Sequence, residues 1–210
     1  MDKNHTNLTF RNANTVGIGL TIIAAIVAYL TQNSGFLSPI PPAGSDGTIF
    51  EADVADDAQF KLYFAAFSAW AALALFVPAT VYFCLNGDDT NWRFWWTAGF
   101  TAFAIHMFWA IVIFFGGDMG QVMSSTRVSA PVPGLVLLIW WAVDVALSWI
   151  DAKGRAITIQ RIILHIGAFI LFIGGSAATG ETALIRILGT AAALIILASL
   201  GKRMISRKAS

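Results

Sequence analysis

The chain has 210 residues, of which 57% are hydrophobic and only 12% are charged, and its mean hydropathy is +0.71. A water-soluble domain of this length does not bury so much apolar surface, so lipid is expected to be the solvent for much of the chain. The net charge of +1 gives no basic field to attract nucleic acid, and the single Cys84 excludes internal disulfides and cysteine-rich metal sites.

Six apolar segments alternate with polar stretches, and each is long enough to cross ~30 Å of hydrocarbon as a helix. Helix is required because lipid cannot hydrogen-bond an open backbone. We therefore predict an all-α integral membrane protein with six transmembrane helices in a single polytopic domain, 1–210. No small-residue cleavage motif follows the first span, so we expect it to be retained. The predicted spans are 15–32, 59–85, 92–115, 132–150, 157–176 and 182–200.

The basic residues predict the orientation of these spans. With the N-terminus inside, ten of the 13 Lys and Arg residues fall on the cytoplasmic side. They are Lys3, Arg11, Arg93, Lys153, Arg155, Arg161, Lys202, Arg203, Arg207 and Lys208. The positive-inside rule therefore predicts that both termini are cytoplasmic, in a multi-pass protein of the inner (plasma) membrane.

Two local patterns add to this topology. The stretch GGSAATGE predicts a tight turn between the fifth and sixth spans, which makes them an antiparallel hairpin. Tryptophans near the predicted cytoplasmic ends of the third and fourth spans are interpreted as anchors at the lipid headgroups. These are Trp92, Trp95, Trp96 and Trp149.

Ionisable side chains within the spans are the candidate functional residues, because an unpaired charge in hydrocarbon costs several kcal/mol. Counting along the helices places Asp144 roughly 10 Å and His165 roughly 12 Å from the cytoplasmic edge. The loop between their helices is short, and Arg161 precedes His165 by one helical turn. These spacings predict an Arg161–Asp144–His165 cluster. It would handle protons, or hold a metal or haem on His165 with Asp144 orienting the ring, or act only as a polar staple. The fourth deep residue, Arg186, is expected to reach the outer headgroups.

His106 lies higher in the membrane, roughly 20 Å from the inner edge. The small Ala102 lies one turn below it, and Phe103, Phe108 and Trp109 supply apolar walls. This composition suits a haem or chlorin pocket with the imidazole as axial ligand. It also describes a packed histidine at a plain helix–helix contact. His106 and His165 differ in depth by roughly 8 Å, so they could bind a single haem between them only if helix tilt removed this difference.

Three functions follow from these residues. The favoured one is an integral subunit of a larger respiratory, photosynthetic or oxygenase complex, which holds a haem, pigment, metal or quinone at His106 or His165. Its expected partners are the lipid bilayer and other membrane proteins or further copies of the chain; alone it is not expected to be an enzyme. The alternative is a small proton-coupled transporter or channel that uses an Asp144–His165 pair, with Pro78 as a hinge. The third is a metal enzyme with Asp144, His165 and His106 as ligands.

Overall fold

The computed structural model describes residues 9–32, 56–87, 89–124, 131–179 and 183–209. Within these ranges the regular secondary structure is all helical, and short turns connect the helices. Two short π-helical turns interrupt it: Trp109–Phe114 continues α3, and Ile170–Gly174 joins α6 to α7. The helices are α1 (Phe10–Thr31), α2 (Asp56–Asn86), α3 (Thr90–Phe108), α4 (Met119–Ser124), α5 (Pro131–Trp149), α6 (Arg155–Phe169), α7 (Gly175–Thr179) and α8 (Ala183–Ala209).

Six helical segments are long and apolar enough to cross a membrane, which confirms the predicted fold class at that level. They are Phe10–Thr31, Phe60–Asn86, Thr90–Phe114, Pro131–Trp149, Arg155–Ala177 and Ala183–Ser206. The segments from α3 and α6 include the π-helical turns, so α6 and α7 belong to one span.

Two boundaries differ from the sequence prediction for physical reasons. Helix α1 begins at Phe10 rather than at 15, because the Thr9 hydroxyl caps it by accepting a hydrogen bond from the Asn12 amide at 3.2 Å. The predicted turn GGSAATGE is helical as far as Thr179. The segment Gly175–Thr179 packs against α8, and this contact stabilises it as helix.

Helix α3 is central: it packs against α1 and α2 on one side and against α5 on the other. Helix α2 also packs against α8, and α6 lies beside α5. Glycines allow the closest approaches, as is usual in membrane bundles. A Cβ at Gly17 of α1 would lie 2.6 Å from the Ala98 carbonyl oxygen of α3, and one at Gly189 of α8 would lie 2.7 Å from the Ala177 nitrogen of α7.

Both described ends of the chain lie at the same end of the bundle. Phe10 of α1 makes an edge-on contact with Trp149 at the end of α5, with ring centroids 5.5 Å apart. Arg203, near the end of α8, donates from Nη1 to the Phe83 carbonyl at the end of α2, at 3.0 Å. We call this the basic end, because it carries Arg11, Arg93, Lys153, Arg155, Lys202 and Arg203. The opposite end carries Lys61, Asp118 and Arg186.

Asp151 closes α5 at the basic end. Its φ of 55° and the bonds from the Ala152 amide to Leu147 (3.0 Å) and from its own amide to Ser148 (3.3 Å) form a Schellman motif. Its carboxylate contacts Lys153 at 2.9 Å and Arg93 of α3 at 3.1 Å. The hydrogen bond from Lys153, with that from Arg93, lowers the pKa of Asp151 below its ordinary value. The α5–α6 connection is thereby tied to the start of α3.

Candidate functional site

A buried polar cluster lies between α3, α5 and α6 on the side of the basic end. Its members are Trp92 and Trp96 of α3, Asp144 of α5, and Gln160, Arg161 and His165 of α6. All of them except Gln160 are at most 5% exposed.

The Asp144 carboxylate is the hub of this cluster. Its Oδ2 accepts a hydrogen bond from Trp96 Nε1 at 2.8 Å. Its Oδ1 accepts from Gln160 Nε2 at 2.7 Å and from Arg161 Nε at 3.3 Å, the latter an ion pair. Donors from α3 and α6 thus converge on one acid of α5. A charge in the apolar interior is tolerated only when it is paired and hydrogen-bonded in this way.

Both ring nitrogens and both ring faces of His165 are in contact with neighbouring groups. Its Nε2 accepts from Trp92 Nε1 at 3.1 Å, and its Nδ1 donates to the Arg161 carbonyl at 2.8 Å. These two partners require the proton on Nδ1 and a lone pair on Nε2. The ring is sandwiched between Trp96, 4.0 Å away at 10°, and Phe83, 4.2 Å away at 13°.

The structure therefore brings the three predicted residues into one cluster, in an arrangement that differs from the expected one. Arg161 and Asp144 form an ion pair, but among the described contacts no hydrogen bond joins Asp144 to His165. Trp96 connects them instead, because it donates to the carboxylate and stacks on the imidazole. The functional roles assigned to these residues stay predictions.

Two of the tryptophans interpreted as headgroup anchors belong to this cluster. Trp92 and Trp96 are fully buried, and the Arg161 guanidinium lies 4.9 Å over the Trp92 ring. Their spacing of four residues places both on one face of α3, which was the available signal. It was missed because tryptophans at the end of a span usually mark the interface.

His106 lies further along α3, against α2. Its Nδ1 is 3.0 Å from the Ala65 carbonyl and 3.2 Å from the Ser68 hydroxyl, which itself donates to Ala65 at 3.0 Å. Two lone pairs would repel at the Ala65 contact, so the proton is on Nδ1 and Nε2 carries a lone pair. Within the described part of the chain no hydrogen bond to Nε2 is found, and the side chain is only partly buried.

The surroundings of His106 agree only in part with the predicted pocket. Phe103 is buried and its ring lies 6.1 Å from the imidazole at 23°. Trp109 packs edge-on against Phe64 at 4.4 Å and donates to the Lys61 carbonyl at 3.0 Å. Phe108 is 58% exposed. The π-helical turn begins at Trp109, a type of distortion that is frequent at functional sites.

The two histidines lie too far apart to share a ligand. His165 stacks on Trp96, and His106 follows ten residues later on α3, about 15 Å along the helix. A single haem between them, and a metal held jointly by Asp144, His165 and His106, are therefore not supported. In the ranges that the structure describes, no three His, Cys, Asp or Glu side chains converge as metal ligands.

The fold defines a multi-pass membrane protein with six apolar spans. Comparisons with protein-family models, with curated proteins and with solved structures find no match to this chain.

Proposed function

We propose that the chain is an integral subunit of a larger membrane complex of the respiratory, photosynthetic or oxygenase class, and that His106 holds its cofactor. One observation carries the proposal: Nδ1 is committed to the Ala65 carbonyl, while Nε2 keeps its lone pair on a partly buried ring. Ligand histidines typically donate their second ring nitrogen to a carbonyl in this way, which fixes the tautomer and the ring orientation.

The tautomer restricts the ligand. A lone pair on Nε2 suits a metal centre, such as that of a haem or a metallated chlorin, or a hydroxyl donor such as a quinol. An oxidised quinone offers only acceptor oxygens, so it is the least suitable ligand at Nε2. His165 does not fit a ligand role, because both its nitrogens and both its ring faces are engaged.

The finer topology and the partners belong to the same proposal. The basic residues concentrate at the end where both described chain ends lie, so we place both termini in the cytoplasm and the protein in the inner (plasma) membrane. The partly buried His106 lies at the contact between α3 and α2, and part of its surface is not covered by this chain. Another membrane protein, or a second copy of this chain, would complete the cofactor site there.

The test is gentle purification followed by visible absorption and particle mass. We expect a coloured particle heavier than one chain, and we expect His106→Gln to remove the absorption band. His165→Gln is the matched control, because it alters a buried histidine without a ligand role and should keep the band. A colourless single chain would refute the proposal, and so would a band that depends on His165 alone.

Proton-coupled transport through Asp144 and His165 is the second candidate, and the buried Asp144–Arg161 ion pair favours it. It receives less support, because the imidazole has no nitrogen left for a second proton partner and makes no described hydrogen bond with Asp144. Proton-coupled uptake in liposomes tests it: flux that persists unchanged in Asp144→Asn would rule out this mechanism.

A further inference from the structure

An aromatic column runs through the core from the buried polar cluster to His106. The ring centroids of Trp92 and Trp96 are 6.0 Å apart at 25°, and those of Trp96 and Trp141 are 4.4 Å apart at 34°. Trp141 is followed by Phe103 at 5.8 Å, and Phe103 by His106 at 6.1 Å. The three tryptophans are fully buried. We call Trp92, Trp96 and Trp141 the tryptophan column.

The three indole N–H groups of the column have different partners. Trp96 donates to the Asp144 carboxylate at 2.8 Å, and Trp92 donates to the neutral His165 Nε2 at 3.1 Å. Trp141 Nε1 is buried and has no hydrogen-bond partner within the described residues. An indole N–H is a very weak acid until the ring loses an electron, after which its acidity becomes comparable to that of a carboxylic acid. The acceptor at each N–H therefore decides where an oxidised tryptophan is stabilised.

We propose that Trp96 is a redox-active side chain that gives one electron to an oxidised cofactor at His106, with Asp144 as its proton acceptor. The identity of that oxidant, a metal or chlorin centre of high potential, rests on the proposed function. The electron leaves the Trp96 indole through Trp141 and Phe103 and reduces the oxidant by one electron. The Nε1 proton moves to Asp144 Oδ2, which yields a neutral indolyl radical and a neutral carboxylic acid. Return of the electron from the reduced centre sends the proton back to Nε1.

The groups that accept or repel the indole proton make Trp96 the most favourable radical site in the tryptophan column. Its acceptor is a carboxylate in a hydrogen bond of ordinary length, so the proton need move only within that bond. Proton transfer from Trp92 would create an imidazolium next to the Arg161 guanidinium, which like-charge repulsion opposes. Trp141 has no described acceptor, so its oxidation would leave a cation in an apolar core.

A soluble oxidant tests the column separately from any cofactor. The purified protein in detergent is illuminated with tris(bipyridine)ruthenium and persulfate, and radicals are followed by transient absorption and electron paramagnetic resonance. We expect a neutral tryptophan radical whose formation slows in protein expressed and purified in D2O. Trp96→Phe should lower its yield at least about tenfold, the lower end of the range for one lost charge-assisted hydrogen bond. The matched control Trp70→Phe removes a tryptophan of α2 outside the column and should leave the yield unchanged.

Asp144→Asn should convert the signal to the cation form and abolish the isotope effect. If that variant does not fold, the isotope effect in the wild type and the radical yield in Trp96→Phe still test the proposal. An unchanged radical yield in Trp96→Phe, or formation without an isotope effect in the wild type, overturns the proposal. Because the oxidant is external, these results do not depend on whether the purified particle carries a visible band.

Discussion

Replacing Asp144 by leucine should destabilise the bundle more than any other single change in the buried polar cluster. The substitution keeps the branched shape and the number of side-chain heavy atoms but removes the acceptor of the hydrogen bonds from Trp96, Gln160 and Arg161. It also removes the negative charge opposite the Arg161 guanidinium, which is almost fully buried.

The magnitude follows from these contacts. Interhelical hydrogen bonds in membranes average about 0.6 kcal/mol each, so three contribute roughly 2 kcal/mol. Leaving an arginine charge without this partner inside the span adds ~2.5–3.5 kcal/mol, of which the new leucine contacts recover a part. We expect a net loss of about 4 kcal/mol, in line with other broken buried ion pairs.

The assay is reversible unfolding in mixed micelles with increasing dodecyl sulfate, followed by circular dichroism and tryptophan fluorescence. The double variant Asp144→Leu/Arg161→Met removes both charges and should recover about 2 kcal/mol relative to Asp144→Leu. A loss below ~1 kcal/mol for Asp144→Leu would refute the reasoning. Strict additivity of the two substitutions would refute the ion pair in particular.

The remaining predictions concern the helix contact at α1 and the basic end. Gly17→Ala should cost about 1–3 kcal/mol, because its Cβ would meet the Ala98 carbonyl oxygen at 2.6 Å. Gly19→Ala meets nothing within 4 Å and should be neutral or slightly stabilising in the same unfolding assay, so equal losses would contradict the packing of α1 on α3. Folding lowers the pKa of Asp151 from 3.8, chiefly through Lys153, so its contribution to stability is complete above pH 3.8 and is lost as the pH falls through the lowered pKa. Melting temperatures should therefore favour the wild type over Asp151→Asn near neutral pH and converge in acid; a gap that widened in acid would contradict the sign.

The sequence predicted which three residues meet in the candidate site, but it did not predict the contacts that connect them. The depths of Asp144 and His165 and the one-turn spacing of Arg161 followed from counting residues, and the structure does bring the three together. Counting could not show that Trp96 stands between the acid and the imidazole. Which face of a helix turns inward depends on the shapes of the neighbouring helices. Apolar residues lie on every face of helix α3, so the spacing of Trp92 and Trp96 was its main signal for that choice, and the same spacing fits a pair of headgroup anchors.

For His106, too, the sequence identified the residue but not its contacts. Its isolation among apolar residues marked it as a candidate from the sequence, but its tautomer depends on the Ala65 carbonyl of another helix. The expected wall at Phe108 stays a prediction, because the side chain is 58% exposed and only a neighbouring protein would enclose a site beside it. Likewise, glycines predicted a turn at GGSAATGE, yet the helix continues to Thr179 because the segment packs against α8.

The sequence by itself determined that the protein consists of six membrane-length helices, because a chain so rich in apolar residues has no other way to satisfy its backbone in lipid. It also determined which few polar side chains require partners. Only the tertiary structure determined which residues pair with these polar side chains. The rotation and depth of each helix arise from packing against side chains that are distant in sequence, such as Phe83 and Trp96 on either face of His165.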